Sequence, residues 1–228
     1  LLEAVLLLSA LMFFMGGRIL APAIAGHIRR KATPLRHVVQ ARLEGATLLC
    51  LATAMLCFAL PTTIAPALAG AGLLIAAAST VVRVSRWRIW QCWDKPELLA
   101  LLAGYAWLVI GWVLVAGAVL GSRPPNAALH AITTGALGTL TWSVILRTQL
   151  FRTRRGTDAL PWARLAVPAI AVATALRLSV IGVAPQWPLL VAAALWSLCF
   201  AALCAVLIFL AGTPHTPTAQ VTAPKSQA

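Results

Sequence analysis

Long apolar stretches separated by short polar connections dominate the hydropathy pattern of this chain. Seven such segments occupy roughly residues 1–15, 45–60, 64–82, 98–120, 127–146, 162–184 and 187–211. At 1.5 Å per helical residue, about 20 residues cross the ~30 Å hydrocarbon core of a bilayer. The pattern therefore predicts an all-α fold, a polytopic transmembrane bundle of about seven helices.

The polar breaks set the predicted domain limits. The turn residues Pro61-Thr62-Thr63 predict a tight hairpin between the second and third segments. We expect residues 1–212 to form a single transmembrane domain and residues 213–228 to be a disordered cytoplasmic tail. The chain begins without Met inside an apolar run, so we also expect upstream helices or a companion chain to complete the bundle.

Composition supports a membrane protein and excludes several functional classes. The chain is 61% hydrophobic and 10% charged, with a mean hydropathy of +0.91, whereas globular domains have about 45–50% apolar and about 25% charged residues. The sequence contains no Walker loop, GxGxxG, HExxH or GxSxG motif and no paired helical carboxylates. The chain therefore lacks the usual catalytic motifs of a hydrolase or an ATPase.

The basic residues are unevenly distributed between the connections. The chain has 18 Lys and Arg against five Asp and Glu. Fifteen of the basic residues lie between 18 and 44, 83 and 95, or 147 and 164, and the alternate connections contain only Arg123. By the positive-inside rule, the three basic connections are predicted to face the cytoplasm of a bacterial inner membrane. The net charge of +13 is thereby explained without nucleic acid, and clusters 29–31 and 152–155 are expected to attract anionic lipid.

Two ionisable residues fall inside predicted spans, where a charge costs ~2.5 kcal/mol or more. His130 is predicted ~6 Å and Arg177 ~10 Å below the outer boundary, on consecutive helices. Glu3 is the one acidic residue expected near that depth. A histidine on iron and an arginine on a propionate would be the minimum for a haem site. The alternatives are an interfacial histidine and an arginine that extends along its own helix towards phosphates.

The predicted fifth helix has a face of small residues and hydroxyls. Ala131, Gly135 and Gly138 alternate with threonines, a pattern that favours close helix packing but that would also make room for a planar macrocycle. Towards the cytoplasm, Arg18 is expected to end the first helix, and His27 is expected to face solvent. Cys92, in a charged connection, is the one cysteine expected to be exposed.

Three ordered motifs resemble the NnrS family of multi-spanning membrane proteins. Met15-Gly16-Gly17-Arg18-Ile19 is similar to its MGGR segment, and Gly104-Tyr105-Ala106-Trp107-Leu108 to its GYAWL segment. Residues 130–139, HAITTGALGT, followed by Arg147, resemble its HALTxGAxG stretch and trailing arginine. The resemblance covers roughly residues 1–180 and implies a haem- and copper-containing bundle associated with nitric oxide metabolism, in denitrification or nitrosative stress.

The resemblance also bears on site residues. It places Arg18, Tyr105 and His130 at motif positions and so makes them candidates for cofactor binding. Arg177 is a candidate because of its position inside a predicted span, and His130 is the expected metal ligand for the same reason. Two usual histidine positions hold Leu102 and Arg152 instead, so a cytoplasmic-side haem or copper site lacks those ligands. Three functions stay open: a haem-binding protein that responds to nitric oxide, a transport or structural subunit that lost the cofactor, and an enzyme that turns over nitric oxide.

Overall fold

The computed structural model describes residues 1–31, 38–121, 125–152, 165–179 and 186–211. These residues form helices and turns, and no strand occurs among them. The helices are α1 (Leu2–Lys31), α2 (Ala41–Ala59), α3 (Ala65–Ser85), α4 (Pro96–Leu120), α5 (Asn126–Arg152), α6 (Ala166–Ser179) and α7 (Trp187–Ala211). All except α6 are long and apolar enough to cross a membrane. The prediction of an all-α transmembrane bundle is confirmed.

The first helix is about twice as long as the sequence pattern predicted. It continues through Gly16, Gly17 and Pro22 to Lys31, so the prediction that Arg18 ends the helix was wrong. The two glycines allow neighbouring side chains to pack closely against α1, and they do not end the helix. A β-carbon at Gly16 would stand 2.9 Å from Tyr105 Cε2, closer than side chains tolerate.

Antiparallel packing of α2 on α3 forms the most extensive contact between consecutive helices. The predicted turn joins them between residues 60 and 64, where the Thr62 amide donates to the Leu60 carbonyl. The Thr47 and Ser79 hydroxyls are 2.6 Å apart across the pair, and a β-carbon at Gly72 would lie 3.1 Å from the Cys50 carbonyl oxygen. Small side chains along α3 thus let the two backbones approach closely.

The three basic connections meet at one end of the bundle. His27 Nε2 lies 3.1 Å from Asp94 Oδ1, which joins α1 to the segment before α4. Glu97 at the start of α4 acts electrostatically on Arg147 near the end of α5. We call this the basic end, formed by the described residues of 18–44, 83–97 and 147–152. The grouping agrees with the charge asymmetry of the sequence.

Several expectations about the connections change in the structure. His27 is buried, 5% exposed, where we expected a solvent-facing side chain. Its contact with Asp94 accounts for the burial, since the segment before α4 folds over the end of α1. Cys92 is also buried in that segment, and Cys204 is the exposed cysteine instead. Arg123, much of the third basic connection and the tail after residue 212 lie outside the described residues.

Candidate functional site

His130 precedes an unusual turn of α5. Residues Ala131–Ala136 form a π-helix, and regular α-helix resumes at Leu137. Such π-turns insert an extra residue into the helix, and they are frequent at functional sites. The His130 side chain is half-buried, and it makes no side-chain hydrogen bond to any other described residue. Its imidazole nitrogens therefore have no protein partner in the described part of the chain.

Arg177 lies on α6, which packs against the first turns of α5 that end at His130. It is half-buried in the last turn of α6, and its charge acts on the His130 imidazole. Glu3, the acidic residue expected near that depth, is exposed, and no ion pair joins it to Arg177 within the described residues. The two residues therefore combine one imidazole with a cation that has no described carboxylate partner.

The small-residue face of α5 is occupied by tryptophans. A β-carbon at Gly135 would stand 2.7 Å from Trp107 Cδ2, and one at Gly138 would stand 2.9 Å from Trp196 Nε1. Thr174 of α6 also contacts the Gly135 position. The face therefore packs helices together, which confirms the packing interpretation and leaves no room there for a macrocycle.

A second polar cluster lies near the basic end, and the sequence did not predict it. Arg83 of α3 and Glu44 of α2 form a buried ion pair, with Nη2 donating to Oε2 over 3.1 Å. The Arg83 guanidinium also lies over the rings of Phe13 and Trp87, at 4.7 and 5.1 Å from their centroids. Cation–π contacts of this kind partly replace the hydration that a buried guanidinium loses.

Arg18 and Tyr105 belong to this second cluster. Arg18 Nη2 lies 3.6 Å from Glu44 Oε1, with the Arg18 side chain 58% exposed. The Tyr105 hydroxyl donates to the Phe13 carbonyl, and its ring packs against Gly16 and the edge of Trp87. The MGGR and GYAWL motifs thus meet through packing and charge pairing.

The four predicted cofactor residues separate into two groups along the bundle. Gly111 of α4 faces Ile132 of α5, which fixes the relative heights of the two helices. Tyr105 lies six residues from Gly111 towards the basic end, and His130 two residues beyond Ile132 in the opposite direction. At 1.5 Å per residue, about 12 Å of helix separates Tyr105 from His130. One compact site cannot include both, so only His130 and Arg177 remain together.

The two positions where the family usually has histidine occupy different surroundings. Leu102 lines an apolar cleft between α3 and α4. Arg152 is exposed at the last residue of α5. Among the described residues, no three His, Cys, Asp or Glu side chains come together as a metal-binding group. The donor set at His130 and Arg177 thus fits a cofactor that needs one protein nitrogen, and it does not fit a copper ion held by three such side chains.

The Glu44–Arg83 pair had a signal in the sequence that was overlooked. Glu44 lies nineteen residues before Thr63, and Arg83 lies twenty after it. In an antiparallel hairpin that turns at Thr63, residues equidistant from the turn face one another. We had assigned both residues to connections because of their charge, whereas they lie inside the first turn of α2 and the last turn of α3.

Comparison with known proteins gives one match. A sequence model of a family described as NnrS protein matches residues 1–212. The match covers every described helix. No curated protein and no solved structure gives a match to the chain.

Proposed function

The chain belongs to the NnrS family, and we propose that it is a haem-binding membrane protein of the response to nitric oxide. Family membership supports a role related to nitric oxide. The observation that carries the haem assignment is the packing of the His130 segment of α5 against α6, which carries Arg177. An imidazole without a described hydrogen bond is thereby brought within electrostatic range of a cation without a described carboxylate.

In this proposal His130 donates a ring nitrogen to the iron, and Arg177 pairs with a propionate. The neutral imidazole is the usual protein ligand of haem iron, and a propionate supplies the negative charge that the neighbouring helices lack. Bound haem would supply an iron centre to which nitric oxide can bind. The Gly135 and Gly138 face would not hold the haem, since Trp107 and Trp196 already occupy it.

The alternative is a transport or structural subunit that keeps the scaffold without a cofactor. The filled glycine face and the absence of a three-residue metal-binding group among the described side chains favour this alternative. Copper has no comparable support in the described part, so it does not enter the proposal. An enzyme that turns over nitric oxide would require electrons and protons in addition to a binding site, and nothing in the described residues favours it specifically.

An absorption spectrum of the full-length protein, purified in detergent from cells supplied with iron and a haem precursor, separates these functions. The haem-binding function predicts a Soret band that corresponds to at most one haem per protein chain. That band should shift when nitric oxide is added to the reduced protein. A folded, monodisperse protein without a Soret band, which also fails to bind added haemin, would instead support the cofactor-free subunit. Consumption of nitric oxide with an electron donor would be needed for the enzyme.

A further inference from the structure

A cleft of about 490 Å³ opens between α3 and α4 near the basic end. Val84 of α3 and Leu102 and Val109 of α4 contribute apolar walls. Along α4 the lining extends from Leu102 to Ile110, which is about 12 Å of helix. One leaflet contributes half of the ~30 Å hydrocarbon core, so the cleft has the length of most of one leaflet.

The hydroxyl groups of the lining are already engaged. The hydroxyls of Thr80, Ser85 and Tyr105 each donate to a backbone carbonyl. None of these hydroxyl hydrogens is left to recognise a polar ligand inside the cleft. The occupant of this volume must therefore be apolar over the part that enters it.

Two tryptophans line the part of the cleft nearest the basic end. Trp90 lies in a short 3-10 segment, Ile89–Cys92, between α3 and α4, and Trp93 directly follows that segment; the two are 58% and 74% exposed. Tryptophan rings are enriched where membrane hydrocarbon meets the headgroups, because the ring is apolar and its N–H is polar. Their position indicates that this end of the cleft lies at headgroup depth.

Positive charges flank these tryptophans along the chain. Arg86 and Arg88 are both exposed, and Arg88 directly precedes Ile89 and Trp90 of the lining. Arg88 has a positive φ of 51°, which sharply turns the chain between α3 and the 3-10 segment. Of the nearby acidic residues, Asp94 pairs with His27, and Glu97 acts electrostatically on Arg147.

We infer that this cleft is a binding site for an anionic phospholipid from the leaflet at the basic end. One acyl chain lies between α3 and α4, and the headgroup phosphate pairs with Arg86 and Arg88. The apolar lining explains why an acyl chain can enter the cleft, and the tryptophans explain why the headgroup lies at this end. The two arginines explain why a negatively charged headgroup is preferred. The site is separate from His130 and Arg177, and it does not depend on haem.

The test uses the full chain in phosphatidylcholine vesicles that contain a small fraction of photoreactive lipid. The lipid carries a diazirine in its acyl chain and has either a phosphatidylglycerol or a phosphatidylcholine headgroup. After illumination, mass spectrometry measures labelling of the α4 peptide that includes Leu102–Ile110. Since each surface arginine contributes about fivefold to anionic-lipid binding, we expect phosphatidylglycerol to label this peptide at least about fivefold more than phosphatidylcholine.

Matched variants distinguish a specific lipid-binding site from non-specific attraction of anionic lipid to the basic end. Arg86→Gln/Arg88→Gln should bring the labelling ratio close to one, whereas Arg86→Lys/Arg88→Lys should retain most of it. Arg29→Gln/Arg30→Gln removes the same charge from two other exposed arginines at the basic end and should leave the ratio unchanged. Ala106→Phe should block the cleft and lower labelling by phosphatidylglycerol severalfold.

Two results would overturn the inference. The first is equal labelling of the α4 peptide by both headgroups in the unmodified protein. The second is a loss of preference in Arg29→Gln/Arg30→Gln as large as in Arg86→Gln/Arg88→Gln, because total loop charge would then explain the binding. Each variant is accepted for comparison only if it elutes as a single species with unchanged helical circular dichroism.

Discussion

Arg83 and Glu44 form an ion pair of 3.1 Å inside the bundle, with side chains only 3% and 9% exposed. The pair joins the last turn of α3 to the first turn of α2, at the far end of their hairpin from the connecting turn. Phe13 of α1 lies against the same guanidinium. One buried arginine of α3 thus contacts α2 through an ion pair and α1 through an aromatic ring.

Removing one partner of this pair should destabilise the protein strongly. Glu44→Gln leaves Arg83 buried without its counter-ion, and breaking a buried pair in this way costs about 3–5 kcal/mol. We expect a loss of that order in the free energy of unfolding, measured by denaturant titration in detergent micelles. Arg18→Gln, which removes the largely exposed member of the cluster, should lower it by less than about 1 kcal/mol.

A double variant gives a further test of the same pair. Glu44→Leu/Arg83→Met replaces both charges by apolar side chains, and it should be more stable than Glu44→Gln because no unpaired charge remains buried. If Glu44→Gln unfolds at the same denaturant concentration as the unmodified protein, the ion pair is not formed in the membrane protein.

A side chain at Gly17 should destabilise the protein, because the Arg83 guanidinium lies against Gly17 and is held there by Glu44. A β-carbon at Gly17 would stand 2.6 Å from Arg83 Nη2, whereas one at Gly26 of the same helix would meet nothing within 4 Å. Overpacking of this kind costs about 1–3 kcal/mol, so Gly17→Ala should lower the free energy of unfolding by that amount. Gly26→Ala should leave it unchanged or raise it by up to about 1 kcal/mol. Equal effects of the two substitutions would argue against the close contact.

The glycine face of α5 gives a prediction that distinguishes packing from ligand binding. Gly135→Ala places a methyl group against Trp107 and should destabilise haem-free protein by about 1–3 kcal/mol. Gly117→Ala, at a position with nothing within 4 Å, serves as the control. Full stability of Gly135→Ala together with loss of haem would instead indicate that the face contacts the cofactor.

Much of the fold could be predicted from hydropathy alone. The helices α2, α3, α4 and α7 begin and end within a few residues of the predicted segments, because about 20 consecutive apolar residues have few alternatives to a membrane helix. The length of α1 could not be predicted in this way. Its second half carries polar residues such as Arg18 and His27, and partners distant in the sequence, Glu44 and Asp94, pair with them.

The candidate site was predictable in part, for an energetic reason. Charged residues inside a span are costly, so Arg177 and His130 were conspicuous, and helix geometry gave similar depths for the two. The motif residues Arg18 and Tyr105 were assigned from family resemblance, which carries no distances. The contact between Gly111 and Ile132 gives the relative heights of α4 and α5. From these heights, Tyr105 and His130 are separated by about 12 Å along the helix axes.

The orientation of the bundle is a prediction that chemical labelling can check. Single cysteines are introduced as Arg30→Cys at the basic end and Thr62→Cys in the turn between α2 and α3, after the five native cysteines are replaced. If the basic end faces the cytoplasm, a membrane-impermeant maleimide added to intact cells should label position 62 and leave position 30 unlabelled. Labelling of position 30 alone would show that the basic end faces away from the cytoplasm.

The role of Arg177 is testable through the retention of haem. Arg177→Leu removes the cation proposed to pair with a propionate and should lower the haem that survives gel filtration, while the position of the Soret band changes little. Arg177→Lys keeps the charge without the planar donor fork and should retain an intermediate amount. Equal haem retention in the unmodified protein and in both variants would show that Arg177 is not part of the haem site.

The most direct test of the central claim is the Soret spectrum of His130→Gly with and without added imidazole. If His130 is the axial ligand, His130→Gly should lose or shift the band, and free imidazole should restore the spectrum of the unmodified protein. His27→Gln is the matched control: it removes another imidazole while its amide can still donate to Asp94, and its spectrum should be unchanged. Haem content and spectrum that stay the same in His130→Gly would contradict the assignment of His130 as the haem ligand.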